Sequence, residues 1–224
     1  MLDIIGAVLP NAAAIAISPI PIVAVILMLM SPRATSMGLS FLFGWVLGIL
    51  LATTVFTLLA DLVPEPSDTE SSQPVIGTIQ LLLGAGLLLL AVKQWRARPR
   101  AGRTAELPAW MSRIDTMKVP AAFVLAFALA AVNPKNLLVS AAAGAVIGRV
   151  SDDVASMIVA LIAFTLVAAL TVLVPILFHL LARNASEVAL SGIRDWLTAN
   201  NAAIMTVVLL VLGAQVVGKG LGAF

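Results

Sequence analysis

The sequence predicts an all-α polytopic membrane protein. Six transmembrane helices form two inverted three-helix repeats, with the first and fourth helices broken at proline motifs. Composition is the first observation behind this: the 224 residues are 61% hydrophobic and only 11% charged, against roughly 25% charged in soluble domains. Second, several apolar stretches exceed the roughly 20 residues that cross a hydrocarbon core. Third, Ser18-Pro19 and Asn133-Pro134 interrupt two of those stretches at matching depth. Without alternation of polar and apolar residues, a closed barrel does not fit.

Charge-poor segments run over residues 4–30, 37–60, 74–92, 119–148, 154–181 and 199–217. The N-terminal stretch carries Asp3 and no basic residue, unlike a cleaved secretory signal, and residues 1–30 are expected to stay in the mature chain. Between the second and third segments, residues 61–73 hold Asp61, Glu65, Asp68 and Glu70 without Lys or Arg. The next connection holds Lys93, Arg96, Arg98, Arg100, Arg103, Arg113 and Lys118. Basic loops stay cytoplasmic, so this asymmetry predicts a cell (cytoplasmic) membrane protein with loop 97–118 inside and both termini outside. Residues 185–200, mixing Glu187, Arg194 and Asp195 with apolar residues near Trp196, read as an interfacial helix before the last span.

Three helices on each side of the basic loop give residues 1–96 as the first repeat, 97–118 as linker and 119–224 as the second repeat. Three being odd, the second copy is upside down relative to the first. Each break lies about 14 residues into its stretch, or roughly 21 Å at about 1.5 Å per residue. Proline removes a helical hydrogen bond, which is expected to free the carbonyls of Ile15, Ile17 and Ala130. Ser18 and Asn133 are strong N-cap types, and proline is the preferred first helical residue. Residues 20–30 and 135–148 therefore read as half-helices that begin inside the membrane.

A helix start favours an anion through its unpaired N–H groups and about half a positive charge. Lys135 sits in the first turn of the second such start, where a cation opposes the dipole. An anion between them reconciles the two. No Asp or Glu falls within a predicted span to pair with Lys135 or to receive a cationic substrate. Candidate substrate-binding residues are thus Ser18, Pro19, Pro21, Asn133, Pro134, Lys135 and Asn136. Against this stand simple proline kinks, Lys135 reaching an interface or a freed carbonyl, and Asn136 as an interhelical hydrogen bond. Trp45, His179 and Gln215 are cavity or relay candidates, each with a packing or tolerated role as the plainer reading. Gly44 and Gly48, Gly84 and Gly86, and Gly213 and Gly218 suit close helix packing.

With no cysteine and a single histidine, no metal site or other cofactor is expected. An enzyme is not expected either, because catalysis needs clustered reactive groups. The net charge of +2 is too small to suggest nucleic acid.

Ser18-Pro19-Ile20-Pro21, the Gly38, Gly44 and Gly48 series, the basic central loop and Asn133-Pro134-Lys135-Asn136 resemble the lysine-exporter (LysE) superfamily. Within it the chain is most similar to the actinobacterial peptidoglycolipid-addressing (GAP) proteins. The resemblance covers essentially the whole chain. It implies six-helix inverted-repeat transporters that form homodimers. Lack of cysteine departs from the redox branch, and lack of intramembrane carboxylates from the metal-exporting branch. The addressing branch implies movement of an anionic or amphipathic glycolipid, with membrane lipids as partners. On this reading the expected function is a transporter or flippase working by alternating access. The alternatives are an exporter of small metabolites such as amino acids and a non-transporting subunit of a lipid-export complex.

Overall fold

The computed structural model describes residues 2–60, 74–96, 114, 117–151 and 153–222. The described residues form α-helices with no strand: α1 (Leu2–Ala16), α2 (Pro19–Leu29), α3 (Ala34–Leu58), α4 (Pro74–Arg96), α5 (Val119–Ala131), α6 (Pro134–Val150), α7 (Val154–Leu181) and α8 (Arg183–Leu221). The acidic loop 61–73 and most of the basic linker 97–118 lie outside the described residues.

Three helical segments, Ala34–Leu58, Val154–Leu181 and Val188–Gly218, are long and apolar enough to cross a membrane. The count is five if each bent pair is one span: α1 with α2, bent by 57°, and α5 with α6, bent by 60°. Large apolar side chains recur on exposed faces, among them Phe43, Leu47 and Leu51 on α3 and Ile162, Leu166 and Leu170 on α7. Stripes of this kind fit lipid rather than water; this is a membrane protein. The expected third span falls on α4, which is helical but not among those candidates.

One expectation changes. No separate interfacial helix precedes the last span, since α8 is continuous from Arg183 to Leu221. The stretch contains no proline, and nothing interrupts its hydrogen-bond ladder. Pro10 and Pro175, by contrast, sit inside α1 and α7 without ending them. Proline alone does not break these helices; the breaks come where a capping residue precedes it.

The chain forms two compact units, Met1–Val63 with Leu107–Asp195, and Pro64–Glu106 with Trp196–Phe224. In the first, α3 packs along α5 and α6, while α7 packs along α1 and α2. Glycine sets the α3 contacts. A methyl on Gly44 would strike the Phe123 carbonyl, and one on Gly48 would meet Ala130 and the Phe127 carbonyl. Further along, one on Gly144 would meet the Thr53 carbonyl and Thr57 amide, and one on Gly148 would meet Ala60 and Thr57. The rising numbers show α3 running in the same direction as the broken pair. Ser40 Oγ also donates to the Val119 carbonyl at 2.7 Å. Asp153 caps α7 by accepting from the Ser156 amide at 2.7 Å, which holds its carboxyl below the usual range.

In the second unit, α4 and α8 meet antiparallel through Gly84 against Val217, Gly213 against Leu88, and Gly220 against Gly77 and Leu81. Close approach through small residues is how membrane helices gain packing without a hydrophobic driving force. Gly86 and Gly218 face open space, so they are not part of this seam; Gly77 and Gly220 are.

Candidate functional site

The two breaks are built differently. At the second, Asn133 has an extended backbone (φ −61°, ψ 121°) and its side chain accepts from the Lys135 amide at 3.0 Å. At the first, Ser18 is also extended (φ −115°, ψ 109°) but makes no side-chain cap bond. Pro19 and Pro21 carry no N–H, so Ile20 is the one amide donor among the first three residues of α2. Pro134 likewise leaves α6 two donors there, and Asn133 takes that of Lys135. The backbone therefore offers an anion less than two helix starts would otherwise present.

Two further carbonyls, each one residue before one freed by a proline, also lose their helical donors. In an unbroken helix the Ser18 amide would bond Ala14 and the Asn133 amide would bond Leu129. Instead, Ser18 N donates to the Ala16 carbonyl at 2.8 Å, and Asn133 N to the Ala128 carbonyl at 3.2 Å. Each capping residue's amide has left the ladder. Side chains fill the gaps: Lys135 Nζ donates to the Ala14 carbonyl at 2.7 Å, and Asn136 Nδ2 to the Leu129 carbonyl at 2.9 Å. Thr171 Oγ1, from α7, donates to the Ala16 carbonyl at 2.7 Å.

Lys135 thus joins the start of α6 to the end of α1. It is 8% exposed, and no other Lys or Arg is buried among the described residues. Its ammonium lies at the negative end of the α1 dipole, which stabilises it without requiring an anion. This revises the electrostatic argument from sequence: the cation that opposes its own helix serves another helix's C-terminus. One hydrogen bond leaves an ammonium two further donors.

Ser18, Pro19 and Pro21 are buried, Asn133 half-buried, Pro134 exposed and Asn136 fully buried. No hydrogen bond joins Ser18 to Asn133 among the described residues. Trp45 is buried and stacks on Phe41, with ring centroids 6.4 Å apart. His179 is buried too, its Nδ1 3.4 Å from Ser186 Oγ, which itself donates to the Arg183 carbonyl at 2.7 Å. It lies eight residues past Thr171, about 12 Å along α7, away from the breaks. Gln215 is exposed on the part of α8 in the second unit. Thr171 escaped the sequence reading; its only signal is a hydroxyl within an otherwise apolar stretch.

A family model described as Sap, sulfolipid-1-addressing protein, matches residues 8–222 of the chain. Comparison with curated proteins and with solved structures finds no match.

Proposed function

The chain belongs to the sulfolipid-1-addressing protein family, and from that premise we propose that it moves an anionic, amphipathic lipid across the cytoplasmic membrane by alternating access. The family's description carries a role in sulfolipid addressing, and a sulfated headgroup has the charge that Lys135 can pair. The carrying observation is the Lys135 Nζ bond to the Ala14 carbonyl, which ties the two bent pairs together. An arriving anion competes with that carbonyl for the ammonium. An anionic headgroup adds full charge–charge attraction where the carbonyl offers the ammonium only a dipole, so the headgroup draws Lys135 away and unties the breaks. In this reading Asn133 and Asn136 shape the α6 side, and Ser18, Pro19 and Pro21 the α1–α2 side.

The packing of α3 along α5 and α6, and of α7 along α1 and α2, supports two inverted repeats. In that arrangement six spans include α4, the basic linker is cytoplasmic, the termini are outside and the protein is a homodimer of the lysine-exporter type. The role is transport rather than catalysis.

The test is reconstitution of the purified chain in phospholipid vesicles containing a fluorescent sulfated glycolipid. Movement between leaflets, read by accessibility to a membrane-impermeant quencher, is expected to fall at least tenfold in Lys135→Gln, about 1.4 kcal/mol. Unchanged movement in Lys135→Gln sinks the role given to Lys135. Amino-acid efflux without lipid movement replaces the substrate with a small metabolite. Should neither move, while deletion of the gene removes the lipid from the cell surface, the protein is a non-transporting subunit.

A further inference from the structure

Five buried polar atoms in α3, α6 and α7 have no hydrogen-bond partner among the described residues: Trp45 Nε1, Thr53 Oγ1, Asn136 Oδ1, Ser140 Oγ and Thr165 Oγ1. Trp45, Thr53, Asn136 and Ser140 are 0% exposed and Thr165 is 4% exposed. The three helices pack on one another pairwise. A buried polar atom left unpaired forfeits its hydration without a replacement bond, so five in one interior is a large penalty to leave standing.

Helix register places them together. Gly144 lies against the Thr53 carbonyl, and Ser140 is one turn before Gly144 on the same face of α6, with Asn136 one turn earlier again. The parallel course of α3 and α6 sets Asn136 toward the Trp45 end and Ser140 toward the Thr53 end. Thr171 marks the level of the breaks by its bond to Ala16, and Ile176 meets Gly38 near the start of α3. Hence α7 runs antiparallel to α3. Thr165, six residues before Thr171 and about 9 Å along the axis, falls on the Ser140 side of the breaks. Trp45 to Thr53 spans about 12 Å.

We propose that this interior binds ordered water, as a hydrated track from Asn136, next to Lys135, to Thr53 and Thr165. The chemistry selects water over an ion. Trp45 Nε1 only donates and Asn136 Oδ1 only accepts, while the three hydroxyls do both. A cation cannot accept from Trp45, and an anion cannot donate to Asn136. Water does both, and a buried water typically makes about three such bonds. The inference is independent of what the protein carries.

The experiment uses the full chain in phosphatidylcholine nanodiscs, exposed to X-ray pulses that turn bound water into hydroxyl radicals, with oxidation read by peptide mass spectrometry. Trp45 is expected to oxidise faster than Met28, which is also 0% exposed but far from the track in sequence and on α2. In parallel, Thr53→Val and Ser140→Ala each remove a hydroxyl with little change of shape. In a hydrated track both lower the melting midpoint, by about 2–4 °C each; in a dry interior both raise it by relieving an unpaired group. Trp45 no more oxidised than Met28, or a raised midpoint in either variant, overturns the proposal. If a variant does not fold, the oxidation of the unaltered chain decides alone.

Discussion

The second break is self-sufficient and the first is not. Asn133 caps the Lys135 amide and Asn136 fills the Leu129 carbonyl, all within eight residues of α5 and α6. At the first break Ser18 makes no cap bond, and the displaced carbonyls of Ala14 and Ala16 depend on Lys135 and Thr171, 121 and 155 residues away. Identical local logic, a capping residue followed by proline, gives one joint that holds itself and one held by the rest of the fold. A break can be encoded locally while its stability is not.

Amide exchange at the two breaks, in nanodiscs, can sharpen or destroy this contrast. The largest effect is expected from Lys135→Met, which removes a charge-assisted bond worth roughly 1.5–3 kcal/mol. Exchange at Ile17 and Ser18 should rise about tenfold or more, although the replacement also takes a charge out of the membrane interior. If those amides do not respond, Lys135 does not hold the first break. Next comes Asn133→Ala, where loss of an N-cap costs about 1 kcal/mol; exchange at Lys135 should rise several-fold with Ile17 unmoved. A response at Ile17 as large as at Lys135 would mean the two joints are not separable. Thr171→Val removes one neutral bond, about 0.5–1.5 kcal/mol, and should loosen Ile17 and Ser18 a few-fold while sparing Lys135. The smallest is Ser18→Ala, expected to leave exchange at both joints within a factor of two or so, because the side chain bonds nothing as a cap. A change as large as that of Asn133→Ala would make the joints alike after all.

The breaks themselves could be read from the sequence, because the signals, Ser18-Pro19 and Asn133-Pro134, are local and act through the backbone of their own turn. The Asn133 cap was readable for the same reason. The additional freeing of Ala14 and Leu129 was not legible: counting from proline's missing N–H ignores that the capping residue's own amide turns away as well. The destination of Lys135 was open in the sequence, where a freed carbonyl was one of several alternatives. Deciding it needs the register of α6 on α1, which arises from packing across the whole unit. Thr171 was invisible for that reason too. Glycine pairing was half legible: Gly44, Gly48, Gly84 and Gly213 make the contacts that small residues suggest, yet Gly86 and Gly218 look the same in sequence and touch nothing. Smallness permits close approach; only the neighbour's position uses it.

Gly44 and Gly48 clamp α5, and Gly144 and Gly148 clamp α6, on one continuous α3. The angle between α5 and α6 is thereby splinted on both sides of its joint. Opening or closing that angle would mean peeling an arm off at two points of backbone contact. The other joint is held differently, by α7 packed along both of its arms and by two borrowed side chains on its displaced carbonyls.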